Sequence, residues 1–234
     1  MSDLLTPTQV DPLEAEQAAA LDRDGYLLLR GAVPEAWRAA LCAAFDAGVG
    51  TPDQWASPRG VGWRHALVDL DPTVQRTCRL PPLLAAAGRM LGGPFFLCQV
   101  EGREPLPGGG HQALHRDGAG LNAVAALVFL DPYGPDNGAT RVVPRHLDRG
   151  EPDEALSLVL AGEAGDILVF DADLLHGATR NRSGARRRSL LLSFMPERNR
   201  PDEDACRAIR GVRMDTSEVF VPCAISSDSG EGGA

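Results

Sequence analysis

Hydrophobic and polar positions change rhythm near residue 94. Before it, apolar residues recur three and four apart, a spacing that predicts helices. PLEAEQAAALDRD (12–24) consists largely of helix formers, and DGYLLLRG (24–31) follows as a short strand closed by Gly31. VPEAWRAALCAAFDAG (33–48) opens beside a proline and ends on Gly48, the usual punctuation of a helix. PPLLAAAGRMLGG (81–93) carries the same marks. Residues 49–72 hold two of the three tryptophans and show no period, so a loop is expected there.

After residue 94 the chain breaks into short apolar runs separated by glycine, proline and Asp-Asn turns. These are FFLCQVEG (95–102), HQALHRDGAG (111–120), NAVAALVFLD (122–131), ATRVVP (139–144), LSLVLAG (156–162), GDILVFDADLLH (165–176) and RRRSLLLSF (186–194). Strand-length runs at this spacing predict a sandwich or barrel of antiparallel strands. The simplest organisation is one mainly β domain over residues 1–223, with a helical N-terminal cover. The small, polar segment AISSDSGEGGA (224–234) is expected to be a disordered tail. No internal repeat is evident.

Composition narrows the function. The chain has 234 residues, enough for one well-buried core, and 44% of them are hydrophobic. No apolar run approaches the ~18 residues of a membrane span, and the acidic N-terminus lacks the pattern of a secretory signal. A net charge of −9 disfavours general nucleic-acid binding. All 23 basic residues are arginine, so Schiff-base chemistry, which needs a lysine amine, is excluded. Five scattered cysteines without a C-x-x-C pair predict reduced, buried thiols and a cytoplasmic setting.

Two of the five histidines fall in HQALHRDG. On a helix His111 and His115 would share a face, but PGGG before the segment and Gly118 and Gly120 after it leave no room for a stable helix. On a strand, side chains alternate, so His115 and Asp117 point the same way and Arg116 points opposite. His111 shares their parity but lies at the start, beside the glycines. His115 and Asp117 thus offer one imidazole nitrogen and one carboxylate oxygen. A third ligand could come from His65, His146 or His176, and His176 sits at the end of a strand-like run, 61 residues beyond His115. Two histidines and one carboxylate on one face of a metal leave adjacent positions open, the arrangement of non-haem Fe(II) oxygenases. A closed structural zinc site would use four ligands, cysteine commonly among them.

Taken together, PGGGHQALHRDG, DNGATRVVP and GDILVFDADLLHGATRNRSGARRRSLLLSF resemble the phytanoyl-CoA dioxygenase family of Fe(II)/2-oxoglutarate-dependent oxygenases. DRDGYLLLRGAVP resembles that family's opening, so the similarity touches most of residues 20–195. The resemblance implies a double-stranded β-helix, a cupin-like jelly-roll with flanking helices. It implies that His115, Asp117 and His176 hold Fe(II), and that Arg187, eleven residues beyond His176, grips the remote carboxylate of 2-oxoglutarate. A guanidinium suits that task, because it pairs with a carboxylate through two parallel hydrogen bonds. Arg186 and Arg188 would face away from Arg187 on a strand. Gln112 and Thr140 match polar positions of the family's pocket. Arg180, Arg182 and Arg141 are expected at the surface, and His146 in a turn.

The implied activity is dioxygenase chemistry with O2, most simply hydroxylation of an unactivated C–H bond of a small metabolite, releasing succinate and CO2. Desaturation, epimerisation and ring closure use the same oxidant. Retention of Asp117 argues against halogenation, which needs that position vacated for chloride. Two departures stand out. Ala178 replaces a serine or threonine common in the family, and Pro144-Arg145-His146 replaces its usual proline-glycine-serine-histidine turn. The alternatives are a non-catalytic jelly-roll that binds a small molecule, and an isomerase or hydrolase using Mn, Ni or Zn.

Overall fold

The computed structural model describes residues 7–51, 54, 60–118 and 120–223. Trp55 and the tail 224–234 lie outside the described residues. Two β-sheets face each other. The larger holds β1 (Thr8–Val10), β2 (Tyr26–Leu29), β3 (Trp63–Ala66), β4 (Phe95–Pro105), β6 (Val124–Phe129), β9 (Ile167–Asp171), β11 (Ser189–Pro196) and β12 (Phe220–Pro222). Its order is β1-β12-β4-β11-β6-β9-β2, with β3 added along β4. The smaller sheet runs β5-β10-β7-β8, made of β5 (Gln112–His115), β10 (His176–Ala178), β7 (Thr140–Val142) and β8 (Leu158–Val159). The ladders are antiparallel, except that β1 and β12 run parallel.

The unbroken apolar runs of the second half follow from burial on both faces of the larger sheet. In β6, Val124, Ala126 and Val128 pack outward with the helices, while Ala125, Leu127 and Phe129 point into the space between the sheets. β9 splits likewise, Ile167 and Val169 against Leu168 and Phe170. The outer face is covered by α1 (Ala15–Asp24), α2 (Glu35–Gly48) and α4 (Pro81–Leu91), through Leu21, Leu41, Phe45 and Leu83. Each of these side chains is essentially solvent-free, and burial of a residue of this size contributes about 1.5–3 kcal/mol. Proline opens α4, and Gly92, at φ +67°, closes it by donating its N–H to the Gly88 carbonyl.

The helices expected at 12–24, 33–48 and 81–93 are thus present with slightly trimmed ends. The loop expected over 49–72 is not a plain loop. Its second half contains β3, whose residues pair with Arg103, Glu104 and their neighbours on β4. Directly after it comes α3 (Pro72–Thr77), where the Asp71 side chain accepts the N–H groups of Thr73 and Val74. A four-residue strand shows too little of its period to be noticed, although Asp71-Pro72 is a helix-start signal in its own right. The stretch after Asn199 carries α5 (Arg200–Arg210), whose side chains remain outside the core. The cysteines are not uniformly buried: Cys78 and Cys98 are, Cys42 and Cys223 are half-buried, and Cys206 is exposed. Burial pushes the Cys78 thiol up to about 12. Among the described residues no helix is long and apolar enough to cross a membrane.

The pairing of β5 with β10 positions the site. His176 lies opposite His115, but Ala178 lies opposite Gln112, so β5 spends three steps where β10 spends two. That extra residue is a β-bulge, and it turns Gln112 and His115 toward the same cavity despite their odd separation. Gly177 allows the approach. A Cβ there would stand 2.7 Å from the Gln112 carbonyl oxygen and 3.0 Å from that of Ala113. Gly177→Ala is therefore expected to cost about 1–3 kcal/mol of stability and to loosen the His115–His176 register. Gly93→Ala, with open space around its Cβ, serves as the neutral control. Thermal melts of both variants check this, and an unchanged midpoint for Gly177→Ala would contradict the packing described.

Candidate metal centre and its cavity

His115 is the last residue of β5, and His176, the first of β10, faces it across the ladder. Their ring centroids stand 4.5 Å apart. Asp117 lies just beyond the strand rather than on it, its N–H donating to the Ala172 carbonyl at 3.0 Å. Strand alternation therefore does not orient Asp117 as expected; the bend after His115 does. The outcome is still convergence. One ligand atom from each of His115, Asp117 and His176 falls within 4.8 Å of the others, a group of three that could hold a metal ion.

The donor chemistry fits a cation. The Nδ1 of His115 is 2.8 Å from the Ala113 carbonyl oxygen, and that of His176 is 2.9 Å from the Leu174 oxygen. A carbonyl can only accept, so both Nδ1 atoms carry the proton and both Nε2 lone pairs turn toward Asp117. The Nε2–Oδ distances are 3.3 Å for His115 and 3.4 Å for His176. These are long for N–H···O bonds. They are close to the roughly 3 Å that separates neighbouring ligand atoms at right angles on bonds of about 2.1 Å. Lone pairs gathered in this way repel unless a positive charge lies among them. Without a metal, a proton serves: hydrogen bonding to the two imidazoles holds the Asp117 carboxyl far below the usual range, and the bond to Asp117 raises His115.

The triad opens into a cavity of about 150 Å³ between the sheets, lined also by Gln112, Thr140, Phe170, Ala178 and Arg187. Arg187 is 2% exposed, the largest of the fully buried side chains among the described residues. Its neighbours part company around it. Arg186 is paired with Glu104 at 2.7 Å and Asp46 at 2.8 Å. Arg188 is paired with Asp131 at 2.8 Å and Asp46 at 3.0 Å. Arg187 points to the other side and, among the described residues, meets no carboxylate. It donates to the hydroxyls of Tyr133 and, at 3.5 Å, Ser189; its guanidinium carbon lies 4.3 Å from the Tyr133 ring centroid and 5.5 Å from that of Trp63, and its Nε has no partner among the described residues. Burial lowers its pKa. An uncompensated buried cation costs on the order of several kcal/mol, which an anion entering the cavity would offset.

The six site candidates, His115, Asp117, His176, Arg187, Gln112 and Thr140, all border this one cavity. His111 does not; it is exposed ahead of β5. His146 lies in a 3-10 turn with its Nδ1 3.0 Å from Asp24, and His65 is buried on β3, away from the triad. Arg141, expected at the surface, is 9% exposed and bound to Glu154 and the Gln112 carbonyl. Sequence reasoning missed Arg103 and Ser189 as lining residues and Tyr133 as the support of Arg187. Trp63, in the segment expected to be a loop, forms part of the wall, with the Arg103 guanidinium 5.8 Å from its ring.

A family model described as phytanoyl-CoA dioxygenase matches residues 21–189. L-proline trans-4-hydroxylase of Streptomyces griseoviridis is 28% identical over 182 residues, covering 58% of this chain and 68% of that one. Several further curated relatives are matched over only 25% to 45% of their own length. Among solved structures, EctD from S. alaskensis with bound Fe superposes with a TM-score of 0.66 at 23% identity, covering 80% of this chain and 78% of that one. The non-haem alpha-ketoglutarate-dependent epimerase SnoN from nogalamycin biosynthesis gives 0.65 at 22%, covering 77% and 82%. These likenesses place the fold among jelly-roll 2-oxoglutarate oxygenases.

The isolated charge on Arg187 carries a consequence for stability. In buffer without carboxylates, Arg187→Met removes an unpaired buried cation and keeps most of the volume. Its melting temperature is expected to equal or exceed that of the parent. A drop of more than about 4 °C, roughly 1 kcal/mol or more at this chain length, would show that the guanidinium is satisfied by the protein alone.

Proposed function

The chain belongs to the phytanoyl-CoA dioxygenase family of Fe(II)/2-oxoglutarate-dependent oxygenases, and on that premise we propose that it hydroxylates an unactivated C–H bond of a small metabolite, converting 2-oxoglutarate to succinate and CO2. One observation carries this: a three-ligand cluster and a buried arginine that meets no carboxylate among the described residues border the same cavity.

In this proposal His115, Asp117 and His176 hold the iron, and the two backbone carbonyls on their Nδ1–H groups fix the rings in the ligating tautomer. Arg187 takes the remote carboxylate of 2-oxoglutarate, its guanidinium held flat by Tyr133 and Trp63. Gln112 and Thr140 supply polar contacts from the smaller sheet, where Ala178 offers none. When bound, iron with O2 supplies the oxidising power that no side chain possesses. The protein supplies placement and a dry wall of Leu127, Phe170 and Leu191. A volume of about 150 Å³ lies below the ~300–1,000 Å³ common for ligand sites. The co-substrate therefore fills the interior, and the substrate meets the centre at its open side, where the Asp117 side chain is 55% exposed.

Purified protein given Fe(II), 2-oxoglutarate and O2 is expected to release succinate above background with some fraction of a metabolite extract, and His176→Ala is expected to abolish that release. Mass analysis of the product from 18O2 separates hydroxylation, which adds one labelled oxygen, from epimerisation, which adds none. Succinate release that is equal in the parent and in His176→Ala would contradict the proposed centre.

A further inference from the structure

A second cavity, of about 350 Å³, lies on the other side of the smaller sheet, lined by His111, Pro135, Arg141, Thr179, Arg180 and Arg182. Alternation along the strands separates it from the iron cavity. Thr140 faces inward and Arg141 outward on β7; Ala178 faces inward at the end of β10 and Thr179 outward after it.

Its charge is unusual for this chain. The protein carries a net −9, and most described arginines sit against a carboxylate. Among the described residues no carboxylate meets Arg180 or Arg182. Arg180 gives one N–H to the Gly108 carbonyl at 2.6 Å, and Arg182 is anchored only by its main chain, whose N–H donates to the Asp136 carbonyl at 2.7 Å. Arg141 adds a third guanidinium, held by Glu154 through both of its terminal nitrogens and by the Gln112 carbonyl at 3.0 Å. Two polar atoms of the lining are buried without a partner among the described residues: Nε of Arg141 and Oγ1 of Thr179. Leaving such atoms unpaired is unfavourable, and a ligand rich in acceptors would pair them.

The geometry points to a binding site for a phosphate monoester or diphosphate group on this outer face, independent of the iron cavity. Three guanidiniums and a hydroxyl offer more donors than the two oxygens of a carboxylate accept, whereas a tetrahedral oxyanion presents three or more. The two carboxylate-free arginines match the charge of a dianion. Glu154 competes for Arg141 and so sets the affinity.

Calorimetric titration of the full chain with pyrophosphate, inorganic phosphate and acetate in parallel tests this. Saturable one-to-one binding of pyrophosphate is expected, with acetate the weakest of the three. Arg180→Ala/Arg182→Ala is expected to weaken binding about tenfold or more, since charge-assisted bonds of about 1.5–3 kcal/mol are lost. Glu154→Gln is expected to tighten it by freeing Arg141. Saturating 2-oxoglutarate and the Arg187→Met exchange should leave it unchanged. Absence of saturable binding, or binding that survives the double substitution, would overturn the proposal. So would displacement by 2-oxoglutarate or loss in Arg187→Met, because the anion would then occupy the iron cavity. The double variant should still form an Fe(II)/2-oxoglutarate complex; failure of the parent to form one would count against the oxygenase function and leave the phosphate measurement intact.

Discussion

The carbonyls of Gln112 and Ala113 press so closely on Gly177 that no other residue fits there without displacing the strand. This contact sets everything at the centre of the molecule. It draws β10 onto the bulged end of β5, and so brings His176 opposite His115 although 61 residues separate them. It also leaves Gln112 and His115 on one face. The ladder is short, three residues on β10, so the larger sheet behind it must supply rigidity. There β6, β9 and β11 are buried on both sides and cannot shift without opening two apolar layers at once.

Within that frame the chemistry follows from where charge is and is not compensated. Three successive arginines, 186 to 188, lie just ahead of β11 and point in alternating directions. The outer two find Asp46, Glu104 and Asp131, while the middle one enters the cavity and meets, among the described residues, aromatic faces and the hydroxyls of Tyr133 and Ser189. Opposite it, two imidazole lone pairs and a carboxylate converge. The cavity therefore holds a cluster that requires a cation at one end and a cation that requires an anion at the other. A keto acid bound to a metal answers both requirements at once.

Much of this was legible from sequence because the relevant residues lie in runs with strong local character. Turn signals before and after HQALHRDG excluded a helix, and alternation alone separates Arg187 from its two neighbours. What sequence did not give was long-range or sub-periodic. The bulge in β5 exists only in relation to β10, so the simple two-residue period put Asp117 on a strand that in fact ends at His115. Trp63 and Arg103 meet because β3 pairs with β4, and a four-residue strand inside an aperiodic segment carries no detectable rhythm. The burial of Arg141 is likewise tertiary, set by Glu154 from beyond the strand.

The central claim is that one cavity holds a metal through His115, Asp117 and His176 and a keto acid through that metal and Arg187. Anaerobic titration of the protein with Fe(II) and then 2-oxoglutarate, followed in the visible, tests it most directly. A weak charge-transfer band should grow to saturation in the parent, fail to form in Asp117→Ala, and require a much higher 2-oxoglutarate concentration in Arg187→Met. No band in the parent, or an unaltered one in Asp117→Ala, would contradict it.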